Sequence, residues 1–255
     1  MHGWKFISIF FLLSLSLSVS AQDERISTAR PGFTDAVEAV PKGIIQIETG
    51  LFTNGGKLSG GDQYKLQYNT TAVRIGVFEY TELQIAGGIS QAFFKGTGID
   101  SSDGLLSDPI RIGFKSELLK GEGYKPSLAF GSHVNISTDT SLYRPDMQMI
   151  FSYPVDEQVT VASMIGLNWL TPNYSTFTWT FKIGINLSQK WAMFGELYGY
   201  RNGLIATQAI DGGFLWNNGT FQIDFGGGLG MSREASDWFG NIGLSLMLKP
   251  KKEIE

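Results

Sequence analysis

Residues 176–187, TFTWTFKIGINL, alternate without a slip. Even positions carry Thr176, Thr178, Thr180, Lys182, Gly184 and Asn186, and odd positions carry Phe177, Trp179, Phe181, Ile183, Ile185 and Leu187. Side chains on a strand point to opposite faces in turn, so the stretch predicts a ribbon with one apolar and one polar side. At about 3.3 Å per residue it reaches about 40 Å, enough to cross a hydrocarbon core of about 30 Å even when tilted.

The same period of two recurs along the chain. It predicts strands over 43–52, 63–78, 81–94, 109–119, 126–136, 145–153, 159–169, 176–187, 190–200, 207–216, 220–230 and 238–248. Two of them are imperfect. In 63–78, Leu66 and Tyr68 fall on even positions but Val73, Ile75 and Val77 on odd ones. A bulge near Asn69 to Ala72, or an upper half standing above the lipid, would explain the change of phase. In 190–200, aromatic residues fall on both faces.

Connections after even-numbered strands are short, including the hairpin signal Asn217-Asn218-Gly219. Those after odd-numbered strands are mostly longer, and the one after strand three has about fourteen residues, a length that suggests exposure or function. Trp169 and Trp238 fall towards the loop ends, and Tyr153, Trp191 and Trp216 towards the turn ends, a placement that predicts two aromatic girdles. Together these features predict an all-β fold. It is a closed antiparallel transmembrane β-barrel of about 12 strands over residues 43–249, with short periplasmic turns, longer external loops and both termini periplasmic. A secreted β-sandwich would also alternate, but it needs neither girdles nor a rhythm of connections.

Composition fits this picture. An apolar fraction of 42% with a mean hydropathy of −0.02 suits strands that are apolar on one face only. Residues 1–21 read as a signal peptide: Lys5, an apolar stretch from Phe6 to Val19, and the small-residue site Val19-Ser20-Ala21. Its removal takes one of 20 basic residues and none of 24 acidic ones, leaving 19 against 24, a balance that argues against nucleic acid as a partner. With no cysteine, thiolate chemistry and lipoprotein anchoring are excluded. Of the 2 histidines only His133 lies beyond the signal, so no multi-histidine metal site is expected. Residues 250–255 form a charged tail.

Between signal and barrel lie residues 22–42, an irregular lead-in bracketed at its end by Pro31 and Pro41. The stretch RPGFTDAVEAVPKGIIQIETG, 30–50, resembles the opening motif of a Gram-negative outer-membrane barrel family of transporters named after the meta-pathway of phenol degradation. Arg30-Pro31, Phe33-Thr34-Asp35, Val40-Pro41-Lys42-Gly43 and Gln46-Ile47-Glu48-Thr49-Gly50 carry the likeness, and Phe194-Gly195-Glu196-Leu197 continues its style. The family often has Asp where Ala29 stands here. The resemblance implies the barrel and an outer-membrane address.

No catalytic or cofactor-binding constellation emerges. Ser132 and His133 are adjacent on a strand and face opposite ways, so they form no dyad. The glycine run 226–230 has no following helix and is no phosphate loop. The sequon at Asn173 carries no weight in the bacterial setting that the resemblance implies. The polar faces instead collect Glu48, Arg74, Arg111, Lys115, Glu117, His133, Lys182, Glu196, Asp211 and Asp224 as lumen-lining residues. Two function classes follow. One is a passive channel for small-molecule solutes set in membrane lipid. The other is a non-conducting barrel with a closed, charge-paired lumen in a structural or lipid-modifying role. The lead-in pairs Arg25 and Arg30 with Asp35 and Glu38 and offers Phe33 and Val37 for burial. Residues 30–42 are therefore expected to fold against or into the periplasmic opening and restrict it, although an untethered terminus is ordinarily disordered.

Overall fold

The computed structural model describes residues 26–57, 63–96, 101–102, 104–137, 143–171, 174–203, 205–233 and 235–249. The expected signal peptide, Arg25, the Asn173 sequon and the charged tail lie outside them. Twelve long strands follow one another: β1 Ile45–Lys57, β2 Gln63–Phe78, β3 Thr81–Lys95, β4 Ile110–Leu119, β5 Ser127–Ile136, β6 Tyr143–Pro154, β7 Val159–Thr171, β8 Tyr174–Asn186, β9 Trp191–Asn202, β10 Ile205–Asn217, β11 Phe221–Gly230 and β12 Trp238–Leu248. Each pairs antiparallel with its sequence neighbours. β1 also pairs with β12, from Ile45↔Leu248 to Gly55↔Trp238, and this closes the barrel. Two short pieces, Ser101–Ser102 and Leu106–Ser107, add to the edge of β3 beyond its ladder with β4.

The faces of β8 show why it is a strand of a barrel wall. Phe177, Phe181 and Ile183 are 43%, 43% and 41% exposed on the outside, while Thr180, on the other face, is 4% exposed. Aromatic and β-branched residues fit a pleated surface, and their alternation fixes which way the ribbon faces. Across the ladder Trp191 stands opposite Trp216 at the turn end, and Trp238 lies at the other end of the wall.

The structure departs from the sequence reading in several places. β1 runs on to Lys57, so Asn54 belongs to a strand rather than a loop, and β6 begins at Tyr143. Only residues 172–173 separate β7 from β8, and only 203–204 separate β9 from β10, while the turn between β4 and β5 takes 120–126. The expected contrast of short and long connections is therefore weaker than the pattern implied. Backbone ladders continue through polar residues such as Thr171 and Ser175, where no apolar alternation marks them.

β2 keeps one register with β1 from Lys57↔Gln63 to Ile45↔Ile75, so no bulge lies at 69–72. Its upper half turns Leu66 and Tyr68 inward and leaves Lys65, Gln67 and Asn69 on the outside. The mixed faces of β9 have a different cause. Phe194 and Tyr198 lie on the inner face with buried Glu196, whereas Trp191 and Leu197 are exposed outside. The inner aromatics pack on a segment that fills the lumen.

That segment is residues 26–44. It enters at the turn end, where the Ile26 N–H donates to Asn217 Oδ1 and Asn217 Nδ2 donates back to the Ile26 carbonyl. It leaves through a turn in which the Ile44 N–H donates to the Pro41 carbonyl at 3.0 Å and Gly43 takes φ 79°. This positive φ at the third turn position is one that glycine alone adopts without cost. Val37 packs with Ala129 and Ile150, all nearly inaccessible, and with Met164. The apolar core of the molecule is thus built between the lead-in and the wall.

Candidate functional site: the lumen and its inner segment

The lumen divides into two halves of different chemistry. On β1–β6 the charges form a continuous network. Arg74 bridges Glu48 at 2.7 Å and Glu82 at 2.8 Å, and Lys115 lies 3.6 Å from Glu82 and 3.4 Å from Asp35 of the inner segment. Arg111 pairs with Asp146 at 2.9 Å. His133 joins the two parts: Nδ1 meets Asp146 and Nε2 meets the Gln84 carbonyl oxygen, each at 2.9 Å, while Gln84 donates to Glu82. Ser132 donates instead to the Asp146 backbone carbonyl. Charges this deep are tolerated because each has an opposite partner and its remaining lone pairs are used.

On β8–β11 the wall carries Lys182, Glu196, Asp211 and Asp224. Lys182 lies over the Phe194 ring, 4.8 Å from its centre, and makes no ion pair among the described residues. Asp211, in register with Glu196, is 6% exposed, and neither of its oxygens has a hydrogen-bond partner. Asp224 is fully buried 3.3 Å from Arg30 of the inner segment. On the twelve long strands themselves, the inward-facing basic residues are Arg74, Arg111, Lys115, Arg144 and Lys182. The acidic ones are Glu48, Glu82, Glu117, Asp146, Glu196, Asp211 and Asp224, a formal excess of two negative charges.

Residues 26–44 reach partners all round this wall. Glu196 accepts from the Phe33 N–H at 2.6 Å, from the Thr34 N–H at 2.7 Å and from the Thr34 hydroxyl, which also meets Thr180. Gly32 permits this approach, since a Cβ there would come within 2.5 Å of Glu196 Oε2 and 3.1 Å of Phe194. The Arg30 guanidinium lies against the bare backbone of Gly50 on β1 and Gly243 on β12. Across the lumen the Val40 N–H donates to Glu82 at 2.5 Å, the Ala39 N–H to Glu117 at 2.7 Å, and Lys115 to the Ala36 carbonyl at 2.6 Å. Asp35 accepts from Gln148 at 3.2 Å. Burial works against its charge, but Lys115, Arg74 and Arg111 hold its carboxyl below the usual carboxylate range.

Above the segment the lumen opens into a cavity of about 390 Å³. Its walls include Phe33, Phe52, Tyr68, Tyr198, Tyr200 and Phe239, with Asn54, Thr180 and Thr207 as polar points. Phe33 stacks on Tyr198 at 3.9 Å between ring centres and meets Phe239 edge-on at 5.8 Å. A second cavity of about 790 Å³ lies between the segment and the wall at the turn end.

Several lumen residues were not singled out from the sequence. Glu82 and Asp146 lie on the polar faces of their strands, and the parity that selects Lys115 selects them equally. Gln46, Gln222 and Ser245, at most 1% exposed, carry no charge to draw notice. Among the described residues no group of three or more His, Cys, Asp or Glu could hold a metal ion, and no helix is long and apolar enough to cross a membrane.

A family model described as "Putative MetA-pathway of phenol degradation" matches residues 28–248, from the inner segment to the last strand. The chain belongs to this family. Its members' shared region thus includes both the barrel and the segment within it. Among solved structures, the chain is similar to an outer membrane channel from Pseudomonas putida F1, with 12% identity over 83% of this chain and 98% of that one and a TM-score of 0.61. It is also similar to the NanC porin, with 7% identity, 80% and 100% coverage and a TM-score of 0.53. The translocator domain of the autotransporter NalP from Neisseria meningitidis gives 14%, 82% and 90%, and 0.51. At such identities the likeness concerns the fold, which is that of outer-membrane channels and porins. No curated protein matches the sequence.

Proposed function

We propose that this family member is a passive outer-membrane channel for small solutes, with residues 26–44 as its internal gate. The observation that carries this reading is how the segment is held. Its contacts with Glu196, Glu82, Glu117, Lys115, Gln148 and Asn217 are hydrogen bonds and ion pairs, with cavities above and below it. Water can replace such contacts, at a net cost of about 1.5–3 kcal/mol each where a charged group takes part, so the segment can leave a polar lumen without leaving apolar surface bare along its whole length. The apolar outer wall suits membrane lipid, and the fold of channels and porins suits an outer-membrane address.

The test is deletion of residues 23–38 behind the intact leader, with the product reconstituted beside the parent. Small-solute uptake into vesicles and single-channel conductance are both expected to rise. The paired network of Arg74, Glu82 and Lys115 favours a second reading, a closed barrel with a structural role. Silence of both proteins in the same experiment would establish that reading and end the first.

A further inference from the structure

On the β8–β11 wall, three inward carboxylates share a surface with one lysine. Two of the three meet the inner segment: Glu196 accepts from the Phe33 and Thr34 donors, and Asp224, which also accepts from Gln222 of the wall, lies 3.3 Å from the Arg30 guanidinium. The third, Asp211, is 94% buried by its 6% exposure and has no hydrogen bond on either oxygen. A carboxylate without a partner in such surroundings is costly, and a cation or a proton removes the cost. The segment therefore occupies this wall as a cationic solute would, with a guanidinium and a cluster of N–H and O–H donors.

The surroundings fit the same ligand. Tyr198 follows Glu196 on the same strand face and leads into the aromatic cavity. Aromatic faces attract cations through the ring quadrupole. Of the wall bases, Arg74, Lys115 and Arg111 are each tied to a wall carboxylate, which leaves Arg144 and Lys182 without an ion pair among the described residues.

We propose that, once residues 26–44 move aside, Glu196, Asp211 and Asp224 select small organic cations, solutes bearing an ammonium or guanidinium group. This rests on the channel reading above. Rings of acidic side chains select cations in pores by the same electrostatics.

The experiment uses the protein lacking residues 23–38 in planar bilayers under a tenfold KCl gradient, alone and with E196Q, D211N and D224N combined. Heat-modifiable gel mobility verifies that each protein is folded, and E196Q and D224N singly serve if the triple variant fails to fold. The deleted protein is expected to prefer K⁺ over Cl⁻ by about fivefold or more, and the carboxylate variants to bring the ratio towards about one. Millimolar benzylammonium should block the current, and benzyl alcohol should not. Current without cation preference, or a preference unchanged by the substitutions, would overturn the proposal and leave the channel reading standing. Absence of any current would overturn both.

Discussion

The two halves of the lumen solve the same electrostatic problem differently. The β1–β6 half neutralises itself: Arg74, Lys115 and Arg111 each meet a carboxylate of a neighbouring strand. The β8–β11 half draws on the inner segment for partners to Glu196 and Asp224, and Asp211 has no hydrogen bond among the described residues. A wall that pairs its own charges holds the cylinder together whatever lies inside it. A wall that depends on a removable segment registers whether that segment is present. If the segment is a gate, structural and gating roles are separated around the circumference rather than along the axis.

The largest expected effect lies in the self-sufficient half. Arg74→Met leaves Glu48 and Glu82 facing each other without their shared cation, and should cost about 3–5 kcal/mol of barrel stability. Urea unfolding in vesicles measures it. A loss under about 1 kcal/mol would mean that the network contributes little to the wall. In the dependent half, stability should reside outside the lumen. Ile183→Arg should cost about 2–4 kcal/mol near the midplane. Lys182→Gln, on the next residue and the opposite face, should change little, since Lys182 makes no ion pair among the described residues. Equal costs at both positions would erase the contrast.

The smallest effect is a dependence on pH. Because the Asp35 carboxyl is held below its usual range, its contribution to docking is complete above the unfolded value of about 3.9 and fades as pH falls through the lower folded value. Protease access to residues 26–44 should therefore stay flat from pH 8 to about 5 and rise only in stronger acid. Asp35→Asn should remove its own share of that rise. A rise near neutral pH that persists in Asp35→Asn would place the sensitive group elsewhere.

Much of the wall was legible in the sequence because a one-sided strand writes its geometry as a period of two. Strand number, antiparallel order and closure follow from it, and parity alone assigns Lys182 and Ile183 to opposite faces. Where the period lapses, the reading lapses with it. The ends of β1, β7 and β9 run through polar residues, so connections read as long from pattern are short. The inner segment is harder. The Thr34–Glu196 and Phe33–Glu196 bonds join residues 162 and 163 positions apart, and no local pattern announces them. The Phe-Thr-Asp cluster at 33–35 marks the segment as specific without naming its partners. The polar parity of Glu82 and Asp146 was visible, but their weight depends on register across β2, β3, β4 and β6, and register is a property of the pairing rather than of either strand.

The contact between Asn241 and the Pro31 carbonyl at 3.2 Å joins residues 210 positions apart, and Arg30 rests against both Gly50 and Gly243. The first strand and the last meet at that point, with the lead-in between them and the axis. A cylinder already sealed would have to admit this segment end-on. One still open along the β1–β12 seam can wrap around it. The stretch ahead of the first strand would then serve as a mandrel for the strands that follow it, and the final zipping of the seam would wait for the most distant parts of the chain to find each other. Pairings of such long sequence separation are slow to form. On that route, assembly and occlusion would be a single event.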